Sequence, residues 1–216
     1  MFASVLAAAV TACASPDTVW IGAAHRAPLF DGMVNEAEWG SPTLTLGPPL
    51  RPVWVWIERW EGSVFIAVLV PDSTSSWTDA AVISLDTQGD GAPAPAHDDF
   101  QWDLRRVLDS SVVFRGNHGA WMPPRDDPDW RLGAARSGGG WEVRSAGDDT
   151  GWSVELKLEQ AWFAQAGRAA TGLALRVYDN DHQVWHLWPP AADLSQPAML
   201  ERIPARWGVA RLLGPP

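Results

Sequence analysis

Trp77 stands in the polar run Asp72-Ser73-Thr74-Ser75-Ser76-Trp77-Thr78-Asp79, where no neighbour at strand spacing needs burial. A flat apolar ring on a polar loop can act as a stacking platform, whereas a ring on an apolar face is ordinarily core. A second chemical pattern is Asp86-Thr87-Gln88-Gly89-Asp90-Gly91 followed by Asp98-Asp99. Closely spaced carboxylates in a glycine-permitted turn can converge their oxygens on a hard cation such as Ca²⁺. The same pattern also reads as a solvated acidic hairpin in which Asp-Gly is turn chemistry. The spacing differs from an EF-hand, and no terminal glutamate follows. His182 and His186 lie on a turn and a strand, where a separation of four does not pair side chains as it does on a helix, so they read as surface or turn histidines. Asp31, Glu36 and Glu38 read as turn and packing residues rather than ligands. There is no G-x-S-x-G, no H-E-x-x-H and no cysteine beyond Cys13, so the usual hydrolytic constellations are missing. A glycosidase needs two carboxylates across a cleft, one of them desolvated. A chain with 26 acidic residues always permits such a pair on paper, so the reading is non-catalytic.

These residues need strands to position them. Val53-Trp54-Val55-Trp56-Ile57 and Val64 to Val70 are rich in β-branched and aromatic residues, with a hairpin-like turn at Trp60-Glu61-Gly62-Ser63 between them. Further strands are expected at Ala81 to Leu85, Phe100 to Leu104, Val112 to Arg115, Trp141 to Ser145, Trp152 to Leu158, Leu173 to Tyr178, Val184 to Trp188 and Trp207 to Leu212. Their regular spacing, with turn signals between, points to a sandwich or barrel. Only Glu159 to Ala166 reads as helical. Asp90 to Pro95 and Met122 to Asp129 read as loops, because proline there cannot donate to a ladder. Alternation puts Trp54 and Trp56 on one face and Val53, Val55 and Ile57 on the other. In Trp152 to Leu158 the apolar set shares one face and Ser153, Glu155 and Lys157 the opposite one, as in a half-buried antiparallel sheet.

The chain has 216 residues and a formal net charge of −10, with Lys157 its only lysine. That charge argues against a nucleic-acid partner, whose phosphates require clustered positive charge. Hydrophobic residues make up 46% and there are 15 Trp, enough apolar area to exclude an acidic disordered tail. One cysteine excludes a disulfide framework. One domain is expected.

The apolar run Phe2 to Val10 is too short to span a bilayer but suits the core of a signal peptide. It leads into Val10-Thr11-Ala12-Cys13, which resembles the lipobox of bacterial lipoproteins. That resemblance implies export, lipidation at Cys13 and a cell-envelope location (outer membrane or cell surface), with secretion as the alternative. The membrane partner would then be reached only through the lipid. The expected division is 1–12 signal peptide, 13–27 tether and 28–216 domain.

The order of motifs resembles the family 9 carbohydrate-binding modules, DOMON-like β-sandwiches. Phe30-Asp31-Gly32-Met33-Val34-Asn35-Glu36-Ala37-Glu38-Trp39 is similar to the opening "DG-x3-E-x-E-W" of that family. Trp60 to Ile66 resembles its aromatic-acidic turn and following strand, which Val70-Pro71-Asp72 closes. Trp77-Thr78-Asp79-Ala80-Ala81-Val82-Ile83-Ser84-Leu85-Asp86 resembles "W-x-x-D-x-V-E-x-x-x-D" with one residue fewer. Gly151 to Leu158 resembles the "GW-x-x-E-x-x-I/L" strand, and Gly172 to Asp181 a late strand ending in an Asn/Asp cluster. The blocks keep family order over residues 29–190.

The resemblance implies an all-β, two-sheet antiparallel sandwich (jelly-roll or DOMON-like) of about ten strands. It implies a secreted or lipid-anchored module that binds ends of plant-type or other polysaccharides between two Trp. Trp77 matches one of the pair; Trp185 is the nearest candidate for the other, with Trp188 second. Asn180, Asp179, Asp181 and Gln183 would meet hydroxyls, and Arg105 or Arg106 would offer a planar donor fork. Family structural calcium favours a metal at Asp86, Asp90, Asp98 and Asp99. One departure stands out: where sugar-binding members carry a hydroxyl-accepting glutamate, this chain has Val82. Alternatives are a haem-binding redox module using Met33, Met122 or Met199 with His97, His118 or His182, and a structural or assembly lipoprotein with the same fold.

Overall fold

The computed structural model describes residues 17–107, 111–123, 131–132, 140–163, 170–190 and 202–213. Cys13 and the expected signal peptide fall outside that set. In chain order the strands are β1 (Thr18–Ala23), β2 (Leu44–Leu46), β3 (Val53–Trp60), β4 (Ser63–Val70), β5 (Ala80–Asp86), β6 (Asp99–Arg105) and β7 (Ser111–Asn117). They continue as β8 (Ala120–Met122), β9 (Arg131–Leu132), β10 (Trp141–Gly147), β11 (Trp152–Glu159), β12 (Ala170–Asp179), β13 (Val184–Trp188) and β14 (Gly208–Leu212). One short helix, α1, covers Glu36–Trp39, with Asn35 capping it by accepting from the Glu38 amide. All ten strands expected from sequence are present. The expected helix at Glu159 to Ala166 is a 3₁₀ turn over Gln160–Phe163 where it is described.

Local chemistry sets the hairpins. Glu61 and Gly62 both have positive φ (46° and 78°) and close the β3–β4 hairpin at the Trp60–Ser63 pair. Two left-handed central residues match the right-handed twist of the flanking strands.

The architecture is all-β, but the expected pair of antiparallel sheets is corrected. Hydrogen bonding runs continuously along β10-β11-β4-β3-β1-β14-β12-β5-β6-β7-β8, with β2, β9 and β13 attached beside it. The link is β1, which lies in the expected tether. Its first half pairs in parallel with β14 (Thr18 with Val209) and its end pairs in parallel with β3 (Gly22 with Glu58). Val19 and Ile21 enter the core from this strand. The tether therefore cannot extend through residue 27, and the sheet is mixed and curled because one strand crosses between its two halves.

The curl closes round an aliphatic core. Val53, Val55 and Ile57 from β3, the apolar set of β11, and Ile83, Leu85, Trp102, Leu173 and Leu175 from the facing half all belong to it. Each fully buried aliphatic side chain contributes about 1.5–3 kcal/mol. Trp54 and Trp56 sit on the other side of β3, as alternation requires. There Trp56, Phe65, Val34 and Trp39 form a second apolar layer under residues 30–39. That cover also changes β11: Ser153 and Glu155 are buried, not solvated. The Ser153 hydroxyl donates to the Gly32 carbonyl (2.6 Å), and Glu155 Oε2 accepts from the Gly32 amide (2.6 Å). Gly32 has φ 92°, and a Cβ there would meet the Ser145 backbone at 2.8 Å, so only glycine fits this clasp.

Candidate functional site

The loop between β4 and β5 carries Trp77 into solvent at 80% exposure. Its polar residues fix the loop from within: Asp72 Oδ1 accepts from the Thr74 amide, and Asp79 Oδ2 accepts from the Ser76 amide, both at 2.9 Å. Three bonds then tie it to the turn after β12. The Thr78 hydroxyl donates to Asn180 Oδ1 (2.9 Å), and the Ser73 hydroxyl and amide donate to Asp181 Oδ2 (2.9 and 3.1 Å). Gln183, at φ 56°, donates from Nε2 to the Asn180 carbonyl and Oδ1. Arg105 Nη1 donates to the Thr78 carbonyl (3.3 Å) and Nη2 to Asp103 Oδ2 (2.7 Å). Arg106 donates to the Asp72 and Asp148 carbonyls and stands 3.6 Å from Asp79 Oδ2. Asn180, Asp181, Gln183 and Arg105 thus meet at one rim with the Trp77 loop, where part of their bonding capacity holds the rim together.

The electrostatics agree with that picture. Hydroxyls of Thr74 and Ser73 hold the Asp181 carboxyl down at about 2. Burial pushes Asp72 up to about 6, and the neighbouring charges of Asp79 and Asp181 add to the rise.

Strand register defines the surface beside the rim. Trp185, Tyr178, Ala80 and Arg105 are direct partners across β13, β12, β5 and β6, so their side chains share one face. The next row on that face is Leu187, Arg176, Val82 and Asp103, and the following one includes Ala174, Ser84 and Gln101. The intervening residues Val177, Ala81 and Leu104 point to the core. Trp185 is half-buried. Its ring lies 5.0 Å from that of Tyr178 at 44°, and the Arg176 guanidinium sits 5.2 Å from its centroid. These neighbours give the indole a fixed support. Trp188, the second candidate partner, is 4% exposed and belongs to the core, on the opposite face of β13. Tyr178, Arg176, Asp103 and Gln101 were not singled out from sequence; strand alternation from Trp185 and Arg105 is the signal that reaches them.

His186 corrects its sequence reading. It is buried, and its Nε2 lies 3.5 Å from Asp179 Oδ2, which also meets His182 Nδ1 at 2.7 Å. One carboxylate between two elements joins the histidines that spacing alone would not. Asp179 is itself buried in this arrangement. Of the haem-binding candidates, the two methionines among the described residues lie at different parts of the sheet. Met33 sits on the loop that packs over β11 through Gly32, whereas Met122 ends β8 at the far edge of the sheet path. His97 and His118 face each other edge-on at 5.7 Å. Met199 lies outside the described residues.

The acidic turn brings three of its four candidates together. One oxygen each from Asp86, Asp98 and Asp99 lies within 4.8 Å of the others. Asp86 accepts from the Gly89 and Gly91 amides (2.6 and 2.9 Å), and Asp99 Oδ2 from the Ala96 amide (2.7 Å). Asp99 Oδ1 and Asp98 Oδ2 are buried with no hydrogen-bond partner. Asp90 stands outside the group, its Oδ1 taken by the Ala92 amide. Burial pushes Asp99 up to about 7, with Asp86, Asp98 and Asp90 adding to the rise; burial raises Asp98 as well. Clustered oxygen donors with unspent lone pairs fit a hard divalent cation.

A curled all-β sheet closed round one core is a β-sandwich-like fold. More particularly, it is the fold of carbohydrate-binding module family 9. A family 9 module from Caldicellulosiruptor kristjanssonii, solved in complex with cellotriose, superposes with a TM-score of 0.59 at 14% identity, covering 92% of this chain and 95% of that one. A family 9 module from the same organism in complex with glucose superposes with a TM-score of 0.59 at 14% identity, covering 91% of this chain and 97% of that one. No family model and no curated protein matches the sequence.

Proposed function

We propose that the protein is a non-catalytic carbohydrate-binding module that grips an oligosaccharide or polysaccharide end at the Trp77–Trp185 rim. The observation that carries this reading is Trp77, an 80% exposed indole on a loop bonded to the Asn180–Asp181 turn. A pyranose presents C–H faces that stack on such rings, while its hydroxyls seek planar polar partners. Trp185, propped by Tyr178 and Arg176, is the second platform, and Arg105 is the donor fork. The glucose and cellotriose held by family 9 modules of the same fold support the substrate class.

Two further parts belong to this reading. Asp86, Asp98 and Asp99 hold a structural Ca²⁺ that pins the β5–β6 turn and offsets its three converging charges. The leader and Cys13 direct export and lipid anchoring at the bacterial cell envelope.

Affinity electrophoresis in xylan and soluble cellulose derivatives, backed by a glycan array, tests the binding. Wild-type protein should be retarded by at least one polymer and Trp77→Ala should migrate as in a polymer-free gel. Unretarded wild-type protein that is silent on the array, or a Trp77→Ala variant that binds as well as wild type, sinks the assignment.

A further inference from the structure

Val82 cannot accept a hydrogen bond, yet its direct partner across β5–β6 is Asp103, on the same face, opposite the main core. Arg105 takes Asp103 Oδ2 at 2.7 Å and is itself anchored to the carbonyl of Thr78, next to Trp77. The other oxygen, Oδ1, is buried and has no hydrogen-bond partner. Two residues back along β6, Gln101 is 3% exposed, and its Oε1 is also buried without a partner. The two stand on one face of one strand, about 7 Å apart along it, and the row between Asp103 and the rim holds Arg105 and Trp185. An orphaned buried acceptor is costly, a carboxylate most of all, unless a donor reaches it. Two in line on the face that carries the aromatic platform leave a pair of acceptor oxygens unspent.

Resting on the binding function proposed above, we propose that β6 is the hydroxyl-reading wall of the site: Asp103 Oδ1 and Gln101 Oε1 accept from hydroxyls of a neutral saccharide. The wall moves the carboxylate from the position of Val82 on β5 to the adjacent strand. It also sets a ligand class. Hydroxyl groups supply the missing donors, whereas a uronate brings a second carboxylate to Asp103. Charge repulsion at that distance disfavours acidic sugars.

Titration calorimetry with cellotriose, xylotriose, mannotriose and trigalacturonic acid separates this wall from the platform. Wild-type protein should bind at least one neutral trimer and reject the acidic one. Asp103→Asn and Gln101→Leu should each weaken that binding roughly tenfold or more, since a charged or buried hydrogen bond is lost. A ligand-bound crystal structure of the wild-type protein gives a readout independent of variant folding: a sugar hydroxyl should lie within about 3.2 Å of Asp103 Oδ1. Binding that Trp77→Ala abolishes but neither β6 variant changes, or equal affinity for trigalacturonic acid, overturns the wall and leaves the platform standing. Wild-type protein that binds none of the four overturns both.

Discussion

Glu155 gives one oxygen to the Gly32 amide and keeps the other buried without a partner, and that burial pushes its carboxyl up to about 7. In the unfolded chain the group loses its proton near 4.5. Between those values the folded state binds more protons, so stability is greatest below the unfolded value and falls as pH rises. Above the folded value the full penalty of a buried charge is present. Glu155→Gln keeps an acceptor for Gly32 but carries no charge. Urea unfolding should find the variant more stable than wild type at pH 8 and its advantage gone near pH 4.5. An equal difference at both pH values would mean that the carboxyl does not bind its proton near neutrality. At this scale the sequence made Trp77 conspicuous, because a ring among Ser, Thr and Asp has no apolar neighbours to join. It could not separate Trp185 from Trp188, which differ only in the face that β13 turns outward. Nor did it mark Asp103, whose interest comes from an unpartnered oxygen and from standing opposite Val82.

Elements add what single residues lack. The β5–β6 turn converts a loose acidic run into three convergent carboxylates, because Gly89 and Gly91, both at positive φ, let their amides fold back onto Asp86. A cation bound there adds stability by mass action, about 2.7 kcal/mol at a concentration one hundred times its dissociation constant. Thermal unfolding at pH 8 should therefore shift upward by several degrees on replacing EDTA with Ca²⁺, and Asp99→Asn should abolish the shift. Protons compete for the same oxygens, and Asp99 titrates at about 7, so the shift should shrink as pH falls from 8 to 5. A Ca²⁺ response that survives Asp99→Asn would place the ion elsewhere. The ten strands were legible because β-branched and aromatic runs alternate between turn signals. β1 was not: Thr18 to Ala23 is one of several short apolar runs, and its parallel pairing with β14 and β3 depends on residues about 190 and 35 positions away. The buried polar face of β11 was hidden for a similar reason, since its cover comes from residues 30–39.

At the scale of the molecule, the proposed export and anchoring rest on the apolar run Phe2 to Val10 and on Cys13. Expression in a bacterium with intact lipoprotein processing should yield a chain that begins at Cys13 and carries acyl groups, read by intact-mass spectrometry. Cys13→Ser should appear without the lipid, and an unmodified wild-type cysteine would rule out the anchor. The sequence by itself determined the strand inventory and the conspicuous Trp77, because alternation and turn residues are local properties. Only the tertiary structure decided that the sheet is continuous and mixed, that Trp188 is core, and that Asp86, Asp98 and Asp99 converge while Asp90 does not. It alone set Asp103 beside Val82. Each of those depends on the register between strands distant in sequence, which is fixed by how the two halves of the curl pack round their common core.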